Sequence, residues 1–338
     1  MTGKSKVALI CLTGSICLSV FTSYSQDLSE KYDKYIDTLD LRRHLTVLAS
    51  DSLQGRKSGE AGQYLAAAYL QQTFKNLNLS FVPGQSGYEQ SFPLVRKLYP
   101  EFQPQTSNII AYVAGSDEVL KNEIIVISAH YDHLGVRDGK VYNGADDNGS
   151  GTSALLEIAE AFQKAAENGE QPKRSYIFLG LTAEEMGLLG SEYYVKHEWI
   201  PLAQTVADLN IDMIGRVTDS ILEKDHYQVS IIGSNLMSDD LHDAHEEAHQ
   251  KYSTLLLDYT YNALDHPTKL YFRSDHYNFA KNGIPSIFYF GGFHEDYHEE
   301  TDEIATINFE KIRQVSTLVF HTAWILGNAP ERPAVRED

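Results

Sequence analysis

Ile124-Ile125-Val126-Ile127-Ser128-Ala129-His130-Tyr131-Asp132-His133 opens as an unbroken apolar run and ends on a cluster of chemically active side chains. An all-apolar, β-branched run suits a strand buried on both faces, as in a parallel sheet covered by helices. Beyond Asn143-Gly144-Ala145-Asp146-Asp147-Asn148-Gly149-Ser150-Gly151, apolar residues at three- and four-residue spacing predict a helix over 153–166. The alternation continues with strands over 176–181, 206–211, 229–232 and 286–290 and helices over 188–197, 239–251 and 309–326. Upstream, 42–48 and 61–77 read as amphipathic helices and 109–113 as another strand. The expected fold is α/β: a single globular domain with a central mixed, mostly parallel sheet flanked by helices on both faces.

Composition narrows the function. Across 338 residues, 42% hydrophobic and 22% charged side chains exclude disordered, collagen-like and polytopic membrane chains. With 47 Asp+Glu against 28 Lys+Arg, the formal charge of −19 repels phosphate backbones and argues against nucleic acid as a partner. At the start, Lys4 and Lys6 precede an apolar run over 7–21 and the small residues Ser23 and Ser25, the pattern of an export signal cleaved near Ser25–Gln26. That run is shorter than the ~20 residues a membrane-crossing helix needs. No stable membrane insertion is expected after cleavage. Both cysteines, Cys11 and Cys17, lie inside it, so the exported chain would have no thiol to serve as nucleophile or ligand.

In open α/β sheets ligands collect beyond the carboxyl ends of the strands. Here those exits carry His130, Asp132 and His133, then Asp146 and Asp147; Glu184 and Glu185; Asp212; and Tyr297 and His298. Singly each is ordinary, since Glu-Glu is commonly a solvated turn and Asp-Asp-Asn-Gly a turn or helix cap. Together they crowd like charges onto one rim, and a cation is the simplest compensation. Imidazole and carboxylate without thiolate suit zinc, with manganese or cobalt as substitutes. Five ligands exceed what one catalytic zinc keeps, so two ions sharing a carboxylate are expected.

In this order the motifs resemble those of the co-catalytic zinc aminopeptidase family, whose fold also serves glutamate carboxypeptidases and glutaminyl cyclases. The matching segments are His130-Tyr131-Asp132, Asp147 through Gly151, Glu184-Glu185, Asp212-Met213 and Tyr297-His298. The resemblance implies two Zn2+ per chain bridged by Asp147, with His130 and Asp212 completing one site and Glu185 and His298 the other; Asp146 is the near competitor for the bridge. It also implies Glu184 as general base and Asp132 as acceptor of the second His130 ring N–H. Ser274-Asp275-His276 would lie outside the ligand set. Peptides with a free N-terminus are the implied substrates, cut at their first bond by a metal-bridging hydroxide. Tyr297 reads either as a donor to the reacting oxyanion or as a packed aromatic, and Met213, Phe290 and Phe293 either as a side-chain pocket or as core. The organisation becomes a signal peptide over 1–25, a linker over 26–39, a di-zinc peptidase domain over 40–328 and a polar tail over 329–338.

Three rivals stand beside this reading. His245-Glu246-Glu247-Ala248-His249 matches H-E-x-x-H, yet Glu247, Asp240, Asp243, Gln250 and Lys251 make a solvated acidic helix the plainer account. A glutaminyl cyclase would share the fold and metal residues, although Asn148-Gly149-Ser150-Gly151 favours a peptidase. A non-catalytic binding protein is disfavoured because the base and every expected ligand occur together.

Overall fold

A computed structural model describes residues 27–94, 103–217 and 226–336; the expected export signal, with Cys11 and Cys17, lies outside the described residues. Three helices lead in: α1 (Leu28–Tyr32), α2 (Thr38–Leu48) and α3 (Ala61–Asn76). Strands β1 (Glu89–Pro93), β2 (Gln105–Val113) and β3 (Ile124–His130) follow, then the hairpin β4 (Gly135–Arg137) and β5 (Lys140–Tyr142). Next come α4 (Gly151–Glu167), β6 (Ser175–Leu181), α5 (Leu189–Lys196), β7 (Thr205–Asp212), β8 (Gln228–Ile232), α6 (Asp239–Tyr252) and β9 (Leu256–Asp258). The chain closes with α7 (His276–Ala280), β10 (Ser286–Phe290) and α8 (Phe309–Asn328).

One eight-stranded sheet runs in the order β1-β2-β6-β3-β7-β10-β8-β9. Its centre, β6-β3-β7-β10, is parallel, while β2 joins β6 and β8 joins β10 antiparallel. The alternation of side chains explains why the central strands read as continuous apolar runs. Ile125, Ile127 and Ala129 enter the core under α4 and α8, whereas Ile124 and Val126 enter the core on the opposite face with Tyr194 and Phe279. Both faces are covered, as the sequence predicted.

From β3 the chain passes to β6 on one side, and β7 returns to β3's other edge, which makes the carboxyl end of β3 a topological switch point where a crevice opens. Register then sets neighbours across the crevice. Ser128 pairs with Asn210, so His130 and Asp212, each two residues on, emerge side by side.

Two differences from the sequence reading have physical causes. Residues 26–39 were expected to be a linker, but from Asp27 onward they are part of the folded body: Asp27 caps α1, Asp37 caps α2, and Tyr32 and Ile36 are buried in the main core. The apolar content there is too sparse to register as a periodic pattern. β1 was not anticipated because it is a polar edge strand with alternate residues exposed and a terminal Pro93.

Candidate metal centre

The crevice is built by the turn between β5 and α4. Its Asp147–Asn148 peptide is cis. Asp302 accepts the backbone N–H of Asp146 and of Asp147, both at 3.0 Å. The Asn148 side chain donates to Ile211 O at 2.8 Å and accepts from Gly151 N at 2.9 Å, stitching the turn to the end of β7. Gly151 has to be glycine here, since a Cβ would stand 2.3 Å from that Asn148 oxygen and 2.5 Å from Ile211 O. Buried Arg56 locks the outer wall, donating through Nε to Tyr131 O at 2.7 Å and through Nη2 to Gly144 O at 2.9 Å.

Held this way, Asp147 faces both sides of the crevice. Its Oδ1 lies 3.5 Å from His130 Nε2, which is 3.3 Å from Asp212 Oδ1. Its Oδ2 lies 3.2 Å from His298 Nε2, which is 3.4 Å from Glu185 Oε2. The five residues assigned from sequence as ligands are therefore gathered, although they come from five separate segments. Two overlapping donor groups, His130-Asp147-Asp212 and His133-Asp147-Glu185, each keep their ligand atoms within 4.8 Å of one another, with Asp147 in both. Asp146, the rival for the bridge, is turned away: it accepts from Gly215 N and pairs with His294 at 3.2 Å.

The imidazole of His130 is oriented by its surroundings. Its Nδ1 meets the backbone carbonyl of Asp132 at 3.2 Å. A carbonyl can only accept, so Nδ1 carries a proton and Nε2 is the nitrogen turned toward Asp147 and Asp212. This corrects the expected role of the Asp132 carboxylate, which stands 3.7 Å from Nδ1, too far for a hydrogen bond. That carboxylate accepts instead from Ser58 Oγ at 3.0 Å and Glu184 N at 3.2 Å. Ser274 donates to Asp212 Oδ2 at 2.8 Å, in keeping with a supporting place for 274–276.

Electrostatics favour positive charge here. Burial by itself would depress His130, but the Asp212 and Glu184 carboxylates overcome it and raise the ring well above its ordinary range. His298 is likewise pushed up to about 10, burial being outweighed by Asp147 and Glu185. Burial drives the Glu184 carboxyl well up against the pull of His130, and Asp212, Asp275 and Glu185 add to the rise.

The donor set fits a divalent cation. It consists of carboxylates and imidazoles with no thiolate, and Glu185 Oε1 is buried without a hydrogen-bond partner. The donors open into a cleft whose far wall is largely apolar, formed by Met213, Leu270, Phe288, Phe290 and Phe293 with Arg273 among them. Tyr297 borders the same cleft and stacks on His298 with ring centroids 3.9 Å apart, the packed aromatic of the second reading.

Sequence reasoning named His133 at a strand exit without giving it a role, and did not single out Arg56 or Asp302. His133 was within reach, directly following Asp132 at a strand exit; Arg56 and Asp302 act through backbone groups and leave no spacing signature. The H-E-x-x-H histidines do not converge. His245 is buried against Tyr289 and Thr322, and His249 Nε2 meets Leu255 O at 2.8 Å.

The profile of Peptidase family M28 matches residues 108–323. Aminopeptidase YwaD of Bacillus subtilis is 29% identical over 225 residues, covering 64% of this chain and 44% of that protein. Leupeptin-inactivating enzyme 1 of Streptomyces exfoliatus is 30% identical over 247 residues, 65% of this chain and 48% of that one. The chain thus spans about half the length of these two curated relatives. In structure it is similar to the LapA aminopeptidase of Legionella pneumophila, with a TM-score of 0.71 at 20% identity over 97% of this chain and 81% of that one. It is also similar to BSAP, a zinc aminopeptidase from Bacillus subtilis, with a TM-score of 0.66 at 18% identity over 90% and 98%. At such identities the structural likeness speaks for the fold. Because the family profile spans well over half of the sequence, and takes in the whole metal rim from His130 to His298, the chain belongs to peptidase family M28.

Proposed function

We propose that this protein is a two-metal aminopeptidase that removes N-terminal residues from peptides, with zinc as the native ion and manganese or cobalt as substitutes. The observation that carries this reading is Asp147, whose two carboxylate oxygens face His130 on one side and His298 on the other. Relatives described as aminopeptidases, and BSAP as a zinc aminopeptidase, point the same way. In this reading His130 and Asp212 complete one ion position and Glu185 and His298 the other.

Bound dications would polarise the scissile carbonyl and acidify the attacking water. Glu184 takes up the proton from that water and returns it to the leaving amine. Its backbone N–H is held by the Asp132 carboxylate, which fixes the residue beside the donor groups for that task. A protonated substrate amino group is drawn to the carboxylates of the rim, whereas an acetylated one carries no charge to be drawn. The largely apolar wall of the cleft favours an apolar N-terminal side chain. The basic residues Lys4 and Lys6, the apolar run over 7–21 and the small Ser23 and Ser25 support export to the periplasm or the exterior. Among the described residues no helix is long and apolar enough to cross a membrane.

The test is elemental analysis of the purified protein together with release from a panel of aminoacyl p-nitroanilides before and after chelation. About two metals per chain and chelator-sensitive release from unblocked substrates are expected. Equal cleavage of acetyl-blocked substrates would refute the exopeptidase assignment, and cyclisation of an N-terminal glutamine peptide without anilide release would make the protein a glutaminyl cyclase.

A further inference from the structure

His133 is 1% exposed, and neither of its ring nitrogens has a hydrogen-bond partner. Leaving such a group unsatisfied costs on the order of 1–3 kcal/mol, so a buried imidazole without a partner calls for an explanation. Its Nδ1 stands 2.9 Å from Glu185 Oε1 and 3.8 Å from Asp147 Oδ2. The first contact is short, yet Glu185 Oε1 is itself without a hydrogen bond, so the oxygen lies off the axis of the ring nitrogen. The ring is also held in place: it packs on Gly144, where a Cβ would meet its Cγ and Cδ2 at 2.5 Å, and it sits edge-on to His298 with centroids 6.0 Å apart.

We propose that His133 is a metal ligand, so that the position shared by Asp147 and Glu185 is completed by two imidazoles, His133 and His298. This rests on the two-cation reading above. It makes the two positions unlike. One has four protein donors, Asp147, Glu185, His298 and His133, the closed set of a firmly held ion. The other has three, His130, Asp147 and Asp212, and keeps a place open for water and substrate. The ion at the four-donor position is therefore the more tightly bound of the two.

The test uses the full protein and zinc alone. In crystals grown with zinc, a His133 nitrogen is expected about 2.0–2.1 Å from one ion. Competition titration against a chromophoric chelator should give two dissociation constants for the wild type. His133→Phe keeps a ring but removes the nitrogens, and should weaken the tighter ion roughly tenfold to a hundredfold, the order seen when a single group supporting a metal site is lost. His133→Ala should do the same, and the melting temperature of each metal-free variant, compared with metal-free wild type, separates lost ligation from lost folding. Two unchanged dissociation constants in either folded variant, or a His133 ring standing more than about 3 Å from both ions, would overturn the proposal while leaving the two-cation reading intact. A wild-type chain that takes up no zinc would overturn both.

Discussion

The His298 imidazole stands 3.2 Å from Asp147 Oδ2, while the other oxygen of the same carboxylate looks toward His130 at 3.5 Å. One side chain, fixed through its own backbone N–H to Asp302, therefore serves two halves of the crevice. If both halves hold ions, losing this carboxylate should disturb them together. Asp147→Ala is expected to lose metal from both positions in elemental analysis, whereas Asp212→Ala should keep close to one ion per chain. Equal losses in the two variants would mean that Asp147 is not shared.

Glu184 sits in the crevice but outside both donor groups. Glu184→Gln retains the shape and removes the proton acceptor, so metal content should stay at the wild-type level while turnover of an aminoacyl anilide falls by roughly 10²–10⁴-fold. Parallel measurement of bound metal and kcat checks this, and a variant that loses metal and activity alike would make Glu184 a ligand rather than a base.

The parts legible in the sequence were those in which one residue carries one strong signal. β10 was read with its observed ends, and β3, β6 and β7 nearly so, because strands buried on both faces read as near-continuous apolar runs, broken in β7 only by buried Asp208 and Asn210 before its terminal Asp212. The candidate ligands stand at their exits, and the choice among them came from the family resemblance. What escaped was work done through the backbone or across the chain. Arg56 contributes by bonding carbonyls, Asp302 by accepting amides, and Asp132 turned out to hold Glu184 rather than His130, because rotamer and distance decide which neighbour a carboxylate reaches.

Arg56 provides a test of that hidden scaffold. Its guanidinium is fully buried and bonds the carbonyls of Leu48, Tyr131, Asn143 and Gly144, tying α2 to both edges of the crevice. A lysine there has the charge but not the fork of donors. Arg56→Lys should leave several carbonyls unpaired and destabilise the fold by about 3–5 kcal/mol in urea titration, the range for breaking a buried charged network. A change below ~1 kcal/mol would mean that water replaces the guanidinium at no loss.

His249, one of the two histidines of the H-E-x-x-H match, contacts the backbone carbonyl of Leu255, just before β9, rather than any donor of the metal rim. His249→Ala should cost about 1 kcal/mol of stability for that hydrogen bond and leave hydrolysis unchanged. Abolished hydrolysis in a folded His249→Ala protein would revive the zincin reading.

Away from the crevice, His44 and Glu157 form a buried pair with Nε2 and Oε1 3.1 Å apart. Burial, reinforced by Asp40, pushes the Glu157 carboxyl up to about 8, and burial with the nearby Arg43 lowers His44 to about 4. For Glu157 the native chain holds a proton that the unfolded chain has released between about 4.5 and 8, so stability falls as pH rises through that interval. For His44 the unfolded chain holds a proton that the native one lacks between about 4 and 6.5, so stability rises with pH there. The two slopes oppose each other up to about 6.5, and above that only the Glu157 loss remains, at most ~1.4 kcal/mol per pH unit for one proton. Glu157→Gln cannot titrate. Relative to the variant, the wild type should therefore lose stability steadily between pH 6.5 and 8, measured as the difference in urea midpoints at a series of pH values. Parallel curves across that window would mean that Glu157 is already ionised in the native fold, with His44 or Arg43 bearing the compensating charge.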